Sequence, residues 1–82
     1  SPSIHISPNP ASSGSSEIIL NGFTPGRSFR MNIKDAAGRQ LMSNTVVNGP
    51  NKVSCFGLAP GCYFIEIQEE SGSLLRKRWL IN

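Results

Sequence analysis

At 82 residues the chain is one small domain, residues 1–82, with no room for a second. A domain of this size buries only about 60% of the surface its unfolded chain exposes, so little apolar material is left over for a deep substrate pocket. The net charge of +3 reads as solubility and lacks the clustered basic face of a nucleic-acid binder; the longest aliphatic run, Ile18-Ile19-Leu20, falls far short of a bilayer span.

Turn-forming residues recur at even intervals and separate short segments of period-two patterning, as in a sandwich or barrel. No segment sustains the apolar stripe of a helix. The first predicted strand is Ser3 to Ser7, with Ile4 and Ile6 on one face and His5 on the other. Pro8 and Pro10 then remove two backbone donors and end its ladder. The second strand is Glu17 to Asn21. The third, Ser28 to Asp35, sets Phe29, Met31 and Ile33 against Arg30, Asn32 and Lys34. The turn from Asp35 to Gly38 joins it to a fourth strand, Arg39 to Val47; Asp35 is expected to accept backbone N–H bonds and Gly38 to take positive φ. The fifth strand is Lys52 to Phe56. A turn at Pro60-Gly61, where Gly61 can also take positive φ, leads into the sixth, Cys62 to Glu69. That strand sets Tyr63, Ile65 and Ile67 against Phe64, Glu66 and Gln68, and places the Tyr63 hydroxyl near the edge of the core. The seventh is Ser73 to Ile81.

Seven short strands in a chain of 82 residues suggest an all-β, immunoglobulin-like antiparallel β-sandwich. The third and sixth strands alternate most strongly and are expected at the centres of the two facing sheets.

Candidates for chemistry are few. A triad would have to draw on the sole histidine, His5, and the sole aspartate, Asp35, and no base and orienting group assemble around a serine. No catalytic, cofactor or metal site is expected. Glu66, Glu69 and Glu70 read as a solvated strand end before a calcium site. Cys55 and Cys62 fit no zinc pattern. They are compatible with one disulfide or two free thiols, and strand alternation argues against the bridge, since Cys62 faces out when Tyr63 faces in. The triplet Arg76-Lys77-Arg78 splits across two faces of its strand, with Lys77 beside Leu75 and Trp79. It reads as protection of an edge strand, with an anionic contact flanked by a stacking Trp79 as the alternative.

Three motifs and the chain's closing stretch occur in a telling order: Pro8-Asn9-Pro10-Ala11 after the first strand, Asp35-Ala36-Ala37-Gly38-Arg39 after the third, and Leu58-Ala59-Pro60-Gly61-Cys62-Tyr63 into the sixth. Arg76-Lys77-Arg78-Trp79-Leu80-Ile81-Asn82 then closes the chain. Together they resemble the type A C-terminal sorting domain of the type IX (Por) secretion system, over Ile4 to Asn82. Cys62 and Trp79 stand where that family more often has aliphatic residues, and its closing segment is often richer in lysine.

The resemblance implies a signal that directs an N-terminal passenger protein through the outer-membrane translocon, with shuttle and sortase-like transpeptidase components as further partners. The passenger would fold in the periplasm in transit and reach the outer-membrane surface or the medium. The sorting domain would then be removed near or upstream of Ser1 and the passenger attached to the surface. Recognition residues carried over by the resemblance are Gly61, Tyr63, Lys77, Arg78, Trp79, Leu80, Ile81 and Asn82; Pro8, Asn9, Pro10, Asp35, Gly38 and Leu58 match its structural motifs. No nucleic acid and no direct membrane insertion are implied. The chain lacks an initiator Met and a signal-peptide pattern in its first residues, so it reads as a piece excised from a longer protein. The alternative is a generic immunoglobulin-like module that binds carbohydrate or protein and is retained on a cell-surface protein.

Overall fold

The structure is a computed structural model that describes residues 2–12 and 14–82. Alternating burial drives seven strands: β1 Ser3–Ser7, β2 Ser15–Asn21, β3 Ser28–Asp35, β4 Gln40–Val47, β5 Gly49–Ser54, β6 Gly61–Gln68 and β7 Leu74–Ile81. They form a three-stranded sheet of order β1-β2-β5 and a four-stranded sheet of order β4-β3-β6-β7, every pair antiparallel. The fold is the expected immunoglobulin-like sandwich.

Two expectations need correction. β3 and β6 do not face each other; they are paired neighbours at the centre of one sheet, with Ile33 opposite Ile65. Their clean alternation marks strands central to a sheet with one wet face, a property two neighbours can share. The opposing centre is β2, whose run Ile18-Ile19-Leu20 hides its alternation because Ile19 is half-buried on the outer face. The fifth strand begins at Gly49, earlier than Lys52, and ends at Ser54. Its Pro50 fits because β5 is an edge strand. β1 and β3 have the expected bounds, and β2, β4, β6 and β7 shift by at most two residues.

Between the sheets lie Ile4, Ile6, Ile18, Leu20 and Val53 from one side, and Phe29, Met31, Ile33, Val46, Tyr63, Ile65, Ile67, Trp79 and Ile81 from the other. Each fully buried side chain of this kind stabilises by about 1.5–3 kcal/mol, the driving term of a domain this small. Only Asn48 separates β4 from β5, yet the chain changes sheet there. The Asn51 side chain holds this corner: its Oδ1 accepts from Val47 N at 3.0 Å and its Nδ2 donates to Val47 O at 2.8 Å.

Candidate recognition site

Strand direction gathers the motifs at one end of the sandwich. β1, β3, β5 and β7 finish there, and β2, β4 and β6 start there. Register makes the convergence concrete: Asp35 pairs with Tyr63, Tyr63 with Trp79 and Gly61 with Ile81. All of the motif and recognition residues named from sequence lie at this pole or on the strand leading to it.

The segment after β1 is the first piece. Both the Ser7–Pro8 and Asn9–Pro10 peptide bonds are cis. The prolines have no N–H to offer, but the Asn9 side-chain amide carries one donor group and one acceptor, as a peptide unit does. Nδ2 donates to Arg78 O at 2.9 Å, and Leu80 N donates to Oδ1 at 2.9 Å. Two residues on, Ala11 N donates to Leu80 O and Asn82 N to Ala11 O, both at 2.8 Å. Ala11 forms a parallel bridge with Ile81. The segment is thus a strap along the outer edge of β7 from Arg78 to Asn82.

Trp79 is the second piece. It is 0% exposed, which rules out the alternative in which it stacks at the surface; β7 is an edge strand, as the other reading of the basic triplet requires. Its position in β7 turns it inward, and burying an indole requires a partner for the ring N–H. Nε1 donates to Ser16 Oγ at 3.1 Å, and the same hydroxyl donates to Pro8 O at 2.8 Å. One buried serine on β2 therefore ties the last strand to the strap. Tyr63 packs beside Trp79 at 6.4 Å between ring centroids, and its hydroxyl donates to Ala59 O at 2.5 Å. That bond back to the loop before β6 is the tyrosine corner of immunoglobulin-like sandwiches. Leu58 packs against the core from the same loop. Gly61 enters β6 with φ 155°, as the turn requires; a Cβ there would meet no atom within 4 Å, so the constraint is torsional and not one of space.

The Asp35 turn is as expected. Oδ1 accepts from Ala37 N at 3.0 Å and Arg39 N at 2.9 Å, Oδ2 pairs with Arg39 Nε at 3.1 Å, and Gly38 sits at φ 89°. The Arg39 backbone N–H, helped by the Ala37 N–H and the Arg39 guanidinium, holds the Asp35 carboxyl below its ordinary pKa.

On the outer face of the four-stranded sheet, Glu66 departs from the solvated strand end expected of it. It lies mid-strand and is only 6% exposed, with Lys34 Nζ 2.9 Å from Oε1 and Arg76 Nε 3.5 Å from Oε2. The Arg76 guanidinium also lies over the Phe64 ring, 4.1 Å from its centroid. Lys77, Arg78 and Asn82 are exposed, Leu80 is half-buried and Ile81 is buried. Cys55 and Cys62 are free thiols; Cys55 is buried and Cys62 half-buried, as alternation suggested. The sequence reading missed the roles of Asn9 and Ser16. A signal for Ser16 existed, since it stands in the inward row with Ile18 and Leu20.

Among the described residues no group of three or more His, Cys, Asp or Glu gathers to hold a metal. His5 is exposed on β1, and Asp35 is spent on its own turn. The structure therefore defines an immunoglobulin-like module whose most heavily built feature is one pole and the strand that ends there. The family model of the secretion system C-terminal sorting domain matches residues 5–82, essentially the whole chain, and the chain belongs to that family. It is a C-terminal sorting signal of type IX secretion, a family that is not catalytic, and it serves export of a passenger protein toward the cell surface or beyond. A search of curated proteins finds no match.

Proposed function

We propose that the domain, residues 1–82 of a longer secreted protein, is read by the outer-membrane translocon at the pole where β7 ends. The observation that supports this is the strap. It ties Arg78 to Asn82 to the body of the sandwich through Asn9 and Ala11, so the last residues are presented in one fixed place. In this reading Lys77, Arg78, Leu80 and Asn82 supply contacts. Gly61, Tyr63, Trp79 and Ile81 hold the strand that carries them, and Pro8, Asn9, Pro10, Asp35, Gly38 and Leu58 frame the pole. β1 begins at the opposite end, so a passenger joined before it stands away from the surface being read. Passage through the periplasm with the help of a shuttle component, removal of the domain by a sortase-like transpeptidase and surface attachment of the passenger complete the proposal.

The test is a reporter passenger fused ahead of this domain. Deleting Leu80 to Asn82 should leave the reporter in the periplasm. The deletion also removes buried Ile81, so a second fusion replaces only Leu80 and Asn82 with Ala and keeps the core. Normal surface delivery of both fusions would overturn the proposal. Mass spectrometry of the delivered reporter then separates removal from retention. A reporter still carrying the sandwich would favour a binding module kept on the surface.

A further inference from the structure

The strap covers only half of the β7 edge. The bonds from Arg78 O, Leu80 N, Leu80 O and Asn82 N to the strap show which backbone groups of β7 point away from β6. In an antiparallel pair these groups alternate, so Leu74 and Arg76 also point their N–H and C=O outward, as does the Arg78 N–H. These five groups have no hydrogen-bond partner among the described residues. Beside them lies a depression of about 570 Å³ lined by Asn9, Phe64, Arg76, Lys77, Arg78 and Leu80. Its charge is one-sided. Glu66, the carboxylate that pairs with Arg76, is shared with Lys34, and neither Lys77 nor Arg78 has an ion-pair partner among the described residues.

We propose that this open half of the β7 edge is a docking site for an extended acidic segment of the secretion machinery, added as a further strand against Leu74 to Arg78. Charge complementarity selects the occupant. Cations along an edge repel a second copy of the same edge and any basic strand, and they favour a strand with carboxylates at alternate positions. Side chains two apart on an added strand share a face, as Arg76 and Arg78 do, and Phe64, opposite Arg78 on β6 and under the Arg76 guanidinium, adds an apolar floor. Main-chain bonds would supply affinity and the arginines specificity. Asn9 closes one end of the groove and sets where the added strand must stop. The inference rests on the sorting reading only for the source of the strand.

The experiment titrates the isotope-labelled 82-residue chain with a blocked peptide in which Glu alternates with Val, followed by NMR. Shifts should centre on the amides of Leu74, Arg76 and Arg78 and leave Gln40 to Val47 unmoved. Arg78→Glu, an exposed substitution whose spectrum reports intact folding, should weaken binding by about tenfold or more. Three further probes can overturn the proposal. Equal binding of the same peptide N-methylated at alternate residues rules out strand addition. Equal binding of a Lys–Val peptide rules out charge selection. Equal shifts with pyrophosphate or a sulfated oligosaccharide reduce the groove to an anion subsite. No binding of the Glu–Val peptide also overturns it. These outcomes are independent of the fusion test above, so either reading can fail alone.

Discussion

The two poles of the sandwich are closed by different physics. At the far pole, the loop between β2 and β3 meets the β6–β7 turn through Arg27 and Glu70, 2.9 Å apart, with Thr24 also donating to Glu70. Arg27 is 62% exposed, so water and salt compete for the pair. At the near pole, the strap, β2 and β7 are joined by short-range bonds that span the sequence: Asn9 to Arg78 and Leu80, Ser16 to Trp79, Ala11 to Asn82. Its central members, Ser16 and Trp79, are buried, where a lost partner cannot be replaced by water. Stability is thus invested where the chain ends.

The strongest way to break this contrast is Trp79→Ala. It empties the largest fully buried side chain and removes the indole N–H that Ser16 Oγ accepts, leaving that hydroxyl only its bond to Pro8 O. Truncating such an aromatic costs about 3–5 kcal/mol, comparable to the whole stability of a small domain. The variant should be largely unfolded at room temperature by circular dichroism. A cooperative thermal transition within a few degrees of the parent would show that the near pole does not hold the fold.

A milder comparison sets one substitution at each pole against the other. Asn9→Ala removes two hydrogen bonds of the strap, and at about 0.5–1.5 kcal/mol each it should cost about 1–3 kcal/mol in urea denaturation. Glu70→Ala removes the exposed ion pair and should cost no more than about 1 kcal/mol, less at high salt. Hydrogen exchange adds a spatial readout: Asn9→Ala should speed exchange at the Leu80 and Asn82 amides and leave the far pole unchanged. Equal losses for the two variants would erase the distinction between the poles.

How much of this was written in the sequence depends on the range of the interaction. Period two and turn chemistry are local, so the seven strands, the Asp35 turn and the inward course of Tyr63 were legible. Sheet membership is not local, and two strands with the same alternation look alike whether they pair or face. That is why alternation alone suggests opposite sheets for β3 and β6. The motif residues could be named one by one, but their convergence depends on strand direction. The bonds from Asn9 to Arg78 and from Ser16 to Trp79 cross most of the chain. Nothing in Asn9 alone points to its partner. Glu66 looked solvated because its salt-bridge partners, Lys34 and Arg76, come from the two neighbouring strands.

The near pole is not uniformly strong, and Asp35 marks its weak side. Its carboxylate is held by the Arg39 and Ala37 backbone N–H groups and by the Arg39 side chain, all within one turn and open to water. Its pKa in the folded chain is lowered from the ordinary 3.8, first by the Arg39 backbone bond. The folded state therefore binds this proton less readily than the unfolded state. The contribution is complete above the ordinary value and fades as pH falls toward and through the lower folded value. Asp35→Asn keeps an acceptor for the turn but removes the titration. Its stability should fall less steeply with acid over that window than the parent's, while Trp79 and strap amide protection stay the same. Denaturant titrations of both proteins from neutral to acid pH supply the measurement. Parallel acid limbs would mean that the Asp35 charge is no part of what holds this turn.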